Sequence, residues 1–406
     1  MKAMKTLVRP ISLAVALASP TVPAGLYANA YAQSAPAPAA QASPAAAAVW
    51  SRPAARELLT YIEGLEREGL TPAVYSPDRL RVAVDAGNGA AATQLADEIF
   101  LRLARDLSGG SVRGSDRVSW YMAPSGIDED EQQRLLERAK HGGVAAILDG
   151  LLPTHPQYVG LRRALANPAN AERRDLIRTN MERWRWMPRN LGERHIIVNV
   201  PAFTAAFVEN GEVIARHRTV VGATSTPTPQ LSATVTAVTF NPWWTVPQSI
   251  VRTMRGFGGY EVREGNGYRI VRQPPGPRNS LGRVKIEMPN EHAIYLHDTP
   301  AQHLFSRSVR AFSHGCVRTQ GIRDFAARLL ASTGEWDRAR IDEVINTGQN
   351  RQVRLAAPMP VYVSYFTAAA TNDGNIVTYT DVYGRDGRVR QALNRTSGDR
   401  ALASGS

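Results

Sequence analysis

One cysteine occurs among the 406 residues, and it stands in the run Ser313-His314-Gly315-Cys316-Val317-Arg318. A thiolate, not a thiol, attacks carbon, so a catalytic cysteine needs a neighbour that takes its proton. Two of the histidines before it are candidates, His314 two residues back and His297 nineteen residues back. His314 leaves the same tight turn as the thiol and is poorly aimed at it. His297 follows the apolar run 293–296, which reads as a strand, and a strand-end imidazole can face a cysteine on the next loop. His297 is therefore the expected base, and His314 the residue that shapes the turn. Gly315 permits backbone angles closed to other residues. In such a turn the amides of His314, Gly315 and Cys316 can converge on one oxygen and stabilise a tetrahedral intermediate. Arg318 can hold a carboxylate or carbonyl through a forked hydrogen bond.

Other readings of a lone cysteine are a small buried hydrophobe, a bridge between chains, or a zinc ligand beside His297 and His314. A structural zinc takes four ligands, and no second cysteine is present. Lys2, Lys5 and Arg9 precede a short apolar stretch at 11–17, and Ala28-Asn29-Ala30 and Ala30-Tyr31-Ala32 offer small-x-small cleavage patterns. Residues 1–32 are thus expected to be a signal peptide that directs the chain out of the cytoplasm, to the periplasm and cell envelope. Exported proteins pair their cysteines, so an unpaired one there points to a reactive thiol. The net charge of +12 suits an anionic partner, an anionic envelope surface among them. Zinc-finger spacing, a basic region with heptads and interleaved aromatics are all missing, so nucleic acid is not expected.

With 43% hydrophobic residues the chain can bury more than one core. The fold class expected is α+β. Residues 33–49 are almost all Ala, Pro and Ser and read as an extended linker. Residues 50–165 read as a helical domain. Leu58, Leu59, Ile62 and Leu65 recur at helical spacing before Gly69, as do Leu95, Ile99, Leu103 and Leu107 before Gly109-Gly110. A third helix surrounds Leu135, Leu136 and Ala139. The acids Asp128, Glu129, Asp130 and Glu131 read as a solvated helix start rather than a metal site. Residues 166–192 form a helical connector. Its Arg183, Trp184, Arg185 and Trp186 read as packing between domains, with a grip on substrate as the alternative.

From residue 193 to 390 the pattern turns to β. Strands are expected at 196–200, 205–208, 213–221, 234–240, 285–288 and 293–296, with a hairpin turn at Glu209-Asn210-Gly211-Glu212. Residues 254–267 are Gly-rich and aromatic and read as a loop or lid. Helices are expected around Phe325, Leu329 and Leu330 and around Ile341, Val344 and Ile345. Strands at 361–363 and 376–379 close the domain, and residues 391–406 read as a disordered tail.

The run from His297 to Arg318 resembles the signature of the YkuD-type L,D-transpeptidase catalytic domain: a histidine, a gap, then Ser/Thr-His-Gly-Cys-x-Arg. The flanks Tyr295-Leu296-His297-Asp298-Thr299-Pro300 and Arg310-Ala311-Phe312-Ser313 fit it too. Asn241-Pro242-Trp243-Trp244-Thr245-Val246-Pro247 and Pro275-Gly276-Pro277-Arg278-Asn279-Ser280-Leu281-Gly282 are similar to the larger YcbB-like subgroup, whose helical scaffold domain resembles residues 50–165. The resemblance implies a mostly β, sandwich-like catalytic domain with a lid, here residues 250–280. It implies that Cys316 attacks the L,D peptide bond at the third residue of a peptidoglycan stem tetrapeptide, with His297 as proton acceptor. The Asp298 carbonyl would orient the imidazole, and Arg318, Ser313 and Tyr295 would shape the substrate site. D-alanine would leave, and the amine of a second stem would resolve the thioester into a 3–3 cross-link, with no metal or organic cofactor. Resolution by water would make the enzyme an L,D-carboxypeptidase, and a protein or free D-amino acid would be a further acceptor. Loss of catalysis would leave a wall-binding module. The chain departs from the subgroup in having only residues 166–190 where a helical peptidoglycan-binding module would stand.

Overall fold

Helix ends in the N-terminal half follow from their capping residues. The computed structural model describes residues 49–87, 89–265, 268–371 and 373–395. The expected signal peptide, nearly all of the Ala/Pro linker and residues 396–406 of the expected tail lie outside them. Ser51 caps α1 (Arg52–Glu63) by accepting from the Ala54 amide. Leu58, Ile62 and Leu65 are fully buried, and Gly69 ends the following turn at φ 72°. Then come α2 (Pro77–Asp85), α3 (Ala90–Gly109) and the short strand β1 (Trp120–Tyr121). Asp128 caps α4 (Glu129–Lys140), accepting from the Glu131 amide, so the acidic run is a helix start. The helices α5 (Val144–Asp149), α6 (Pro156–Ala166) and α7 (Arg174–Trp186) follow.

The side chains Arg183 to Trp186 are all buried. Trp184 stacks between His155 and Phe366, with ring centroids 4.1 and 4.4 Å away. Arg183 donates to Asp386 at 2.6 Å and to Thr367 at 3.2 Å. The segment is packing, and the alternative of a grip on substrate falls because none of the four side chains reaches the surface.

The β region contains β2 (Arg194–Asn199), β3 (Thr204–Glu209), β4 (Glu212–Gly222) and β5 (Gln230–Phe240). Asn210 and Gly211 join β3 to β4 with φ 50° and 82°, the paired positive angles of a two-residue hairpin turn. An excursion carries β6 (Trp244–Thr245), α8 (Gln248–Val251), β7 (Glu261–Gly265) and β8 (Tyr268–Gln273). The chain re-enters the main sheet with β9 (Val284–Glu287), β10 (Leu296–His297), β11 (Ala311–Ser313) and β12 (Val317–Thr319). It continues through α9 (Ile322–Leu330), α10 (Arg338–Asn346), β13 (Arg351–Ser364), β14 (Ala368–Ala370), β15 (Ile376–Thr378) and α11 (Asp386–Leu393).

The strand order β5-β13-β2-β3-β4-β12-β10-β9 closes on itself, because β9 also pairs with β5. The domain is therefore a closed sheet rather than the sandwich the resemblance implied. Its core holds Ile196, Val198, Phe207, Val238, Val317 and Val361, covered by Phe325 and Leu329 of α9 and Ile341 of α10. Burying each such side chain contributes about 1.5–3 kcal/mol. The sheet gains β1 from the helical region, which pairs in parallel with β5 at Trp120↔Gln230 and Tyr121↔Leu231.

Four expectations need correction. The lid is not an irregular loop: β6, β7 and β8 form their own small sheet around Val246, Val251 and Val271. The strand expected at 293–296 shrinks to Leu296–His297, because Asn290 folds the preceding residues into a loop. Its side chain accepts from the amides of His292 and Ile294 and donates to the Met288 and Ile294 carbonyls. The strand expected at 361–363 lies in β13 between β5 and β2, but the one expected at 376–379 does not close the β domain. β14 packs on α6, where Gln157 exchanges two hydrogen bonds with the Ala370 backbone, and the helical core takes in Phe366, Ala368 and Ile376. The expected tail begins inside α11, whose Val389, Ala392 and Leu393 are buried in that same core. No helix among the described residues is long and apolar enough to cross a membrane.

Candidate active site

Parallel pairing of β10 with β12 brings the two halves of the signature together. Leu296 lies opposite Val317 and His297 opposite Arg318, and the Val317 amide donates to the Tyr295 carbonyl. Cys316 sits at the entry of β12, half-buried. Gly315 takes φ 114°, and a Cβ there would meet Ile294 at 3.1 Å, so both the angle and the space select glycine. Ser313 locks the turn: its hydroxyl donates to the Cys316 carbonyl at 2.5 Å and accepts from the Gly315 amide at 3.2 Å. That second bond corrects the expected oxyanion hole, since the serine has taken the Gly315 amide. Among the described residues no acceptor is found for the amides of His314 or Cys316. The His314 side chain is exposed.

His297 is buried. Its Nδ1 donates to the Asp298 carbonyl at 2.5 Å, and the Leu281 backbone also hydrogen-bonds the ring. Burial, and then the positive charges of Arg318 and Lys285, push its pKa down to about 3, so the ring is neutral around pH 7. Asp298 is fixed in turn by the Arg283 amide at 2.9 Å and by Gln302 at 3.2 Å. Gly282, at φ 62°, backs onto it; a Cβ there would strike the Asp298 side chain at 2.5 Å.

The thiol meets a different set of groups from the one expected. Cys316 Sγ lies 3.7 Å from the Ala293 carbonyl, to which it donates, and accepts from the Tyr295 amide and phenol. The imidazole is not among its partners. Burial pushes the thiol pKa up, against the pull of the two Tyr295 donors and of Lys285 and Arg318. Tyr295 is raised as well, first by burial and then by Cys316, so it remains a donor. The Lys285 ammonium sits 4.6 Å from its ring centroid. Arg318 is lowered by burial, and its Nε is buried without a partner. The neutral imidazole, the protonated thiol and the underused guanidinium share one end of the β10–β12 pair.

Several positions here carry no spacing signal in the sequence. Thr228 is fully buried, accepts from the Gly222 amide at 2.8 Å and donates to the Gly315 carbonyl at 2.7 Å, so it braces the cysteine turn from below. Tyr383 donates to the Gly222 carbonyl at 2.6 Å and accepts from the Thr228 amide at 3.2 Å. Among the described residues no cluster of three His, Cys, Asp or Glu side chains could hold a metal ion, so the zinc set weighed above is not assembled.

Residues 193–354 match the family model of the L,D-transpeptidase catalytic domain, YkuD, and residues 40–165 match that of the Scaffold domain. A Haemophilus influenzae protein named for an inferred L,D-transpeptidase activity is 31% identical over 226 residues, covering 48% of this chain and 45% of that protein. The chain thus spans less than half the length of this curated relative. An L,D-transpeptidase from Mycobacterium smegmatis is similar at 18% identity and TM-score 0.24, covering 42% of this chain and 58% of that one. One from Stackebrandtia nassauensis is similar at 13% identity and TM-score 0.19, covering 55% and 80%. Residues 40–165 are thus similar to a Scaffold domain and residues 193–354 to an L,D-transpeptidase catalytic domain of the YkuD family, the region whose strand pairing brings His297 beside Arg318 and puts Cys316 at the entry of β12.

Proposed function

We propose that the protein is a cysteine acyltransferase that forms 3–3 cross-links between peptidoglycan stem peptides. The observation that carries this reading is the Cys316 thiol at the entry of β12, next to Arg318, whose Nε is buried without a partner, and one strand from the neutral imidazole of His297. Catalysis begins when the thiol leaves the Ala293 carbonyl and gives its proton to His297 Nε2. The sulfur attacks the carbonyl carbon of the third stem residue, and the His314 and Cys316 amides receive the developing oxyanion. The C–N bond to D-alanine breaks, and the imidazolium proton goes to the leaving amine. An acceptor amine then attacks the thioester, loses its proton to His297, and the thiol is restored as the new amide forms. Arg318 binds the donor's terminal carboxylate. Export to the periplasm belongs to the same proposal and is supported by the sequence of residues 1–32. The net charge of +12 would favour an anionic envelope surface.

The test incubates the protein with disaccharide-tetrapeptide and reads the products by mass spectrometry. A dimer lacking one D-alanine, absent with Cys316→Ala, is the expected result. Tripeptide monomer alone would make water the acceptor and the enzyme a carboxypeptidase. Identical products from wild type and Cys316→Ala would overturn the assignment.

A further inference from the structure

We infer that a groove between the Scaffold domain and the cysteine site binds the amine-bearing peptide that resolves the thioester, an assignment that rests on the function proposed above. The groove holds about 520 Å³ and is lined by Tyr121 and Met122 from the scaffold side, Ser232 of β5, and Asn290, Glu291 and His292 of the loop before β10. It exists because two strands diverge from one edge of β5. β1 pairs with β5 up to Leu231, and β9 begins its pairing at Ala237. Between those residues that edge has no strand beside it among the described residues. An extended peptide can add its backbone there.

Its position relative to the thiol is set by the same loop. His292 is followed by Ala293, whose carbonyl lies 3.7 Å from Cys316 Sγ. One residue advances the chain by about 4 Å, so a side-chain amine on a peptide in the groove can reach a thioester on Cys316. The loop is firmly built: Asn290 ties it internally, and Ala293 is held at φ 53°. The His292 ring leans against Tyr121, tilted by 47° with centroids 4.0 Å apart, so the scaffold and catalytic domains share the groove wall.

Charge selects the ligand. In a chain of net charge +12, this lining contains one carboxylate, Glu291, and no Lys or Arg. Among the described residues Glu291 is in no ion pair. The charge beside the thiol and the charge in the groove therefore differ in sign. Arg318 suits the carboxylate of the donor, and Glu291 suits the ammonium of an acceptor before it gives up its proton. The apolar stem of a diamino side chain can lie along Met122 and the Tyr121 ring.

The experiment separates binding from chemistry. Cys316→Ala protein is titrated with a disaccharide-tripeptide whose third residue carries a free side-chain amine, and with the same compound N-acetylated at that amine. The free amine should bind at least tenfold more tightly. Adding Tyr121→Ala or Glu291→Lys should erase that preference, and both residues are exposed, so the fold should tolerate the changes. In a parallel assay on protein with Cys316 intact, single-turnover release of D-alanine from tetrapeptide should stay within about twofold of wild type for Tyr121→Ala and Glu291→Lys. The ratio of dimer to tripeptide should fall about tenfold. Equal binding of the free and acetylated compounds, or a preference that survives both substitutions, would overturn the groove. Absence of D-alanine release by wild type would instead count against the function proposed above, and the binding titration would still judge the groove on its own.

Discussion

At the scale of single residues, the site is poised rather than pre-ionised. A buried imidazole with a pKa near 3 and a thiol raised by burial both resist charge. Proton transfer must therefore accompany attack instead of preceding it. Alkylation of Cys316 should consequently rise only at a pH above that of an ordinary thiol, and a fast reaction at pH 6 would contradict the geometry. Tyr295→Phe removes the phenol donor from sulfur. Hydrogen bonds to charged groups contribute about 1.5–3 kcal/mol, so the alkylation midpoint should move further up and acylation should slow ~10- to 100-fold. His297→Ala should cost ~10²–10⁴ in acylation rate, the usual range for loss of a general base. His314→Ala should cost little, because that side chain points to solvent. Equal damage from both histidine variants would mean the base is misassigned.

At the scale of elements, the cysteine turn depends on a brace from outside its own hairpin. Thr228→Val keeps the volume but strands the Gly222 amide and the Gly315 carbonyl in a buried place. Unsatisfied buried groups cost about 1–3 kcal/mol each, so the melting temperature and the acylation rate should both fall, and Thr228→Ser should restore both. Loss of stability without loss of rate would make the brace merely structural. The cysteine turn, the β3–β4 hairpin and the acidic helix start were legible because each rests on local chemistry: Gly315, Asn210-Gly211 and Asp128. What stayed hidden is non-local. Val317 to Thr319 is a strand only because Tyr295 and Val220 flank it, and three residues show no period. All of β7 is exposed, so no apolar alternation marks it. The expected strand at 293–296 failed because the carboxamide of Asn290 bends a run that looks extended. The oxyanion set was misread for a similar reason: the hydroxyl of Ser313, a local competitor, takes one of its amides.

At the scale of the whole molecule, the chain does not respect a boundary between its two cores. In β13, Val361 and Val363 point into the closed sheet while Tyr362 packs on the helices, and the chain then runs through Phe366 to α11 on the helical side. Arg183 of α7 grips Asp386, and Tyr383, three residues earlier, holds the Gly222 carbonyl and the Thr228 amide beneath the cysteine turn. A chain cut after residue 354, where the catalytic-domain match ends, should therefore fail to fold, because it loses the strand that joins β5 to β2. Acid should act on both cores together. His155, stacked in the helical core, is lowered to about 4 by burial, and His297, in the closed sheet, to about 3. Free histidine takes its proton near pH 6.5. The unfolded chain thus binds protons before the folded one as pH falls, and stability must drop between about pH 6.5 and pH 4. The melting temperature should be lower at pH 5 than at pH 7.5, on the order of 5 °C. His155→Asn should shrink that difference, since asparagine can keep the cap on the Gln157 amide without titrating. The helical far-UV signal and the exposure of Cys316 should change over the same range of urea at pH 7. A thiol that becomes reactive well before the helices melt would show that the two cores unfold separately, and that the Arg183–Asp386 link does not couple the scaffold to the site.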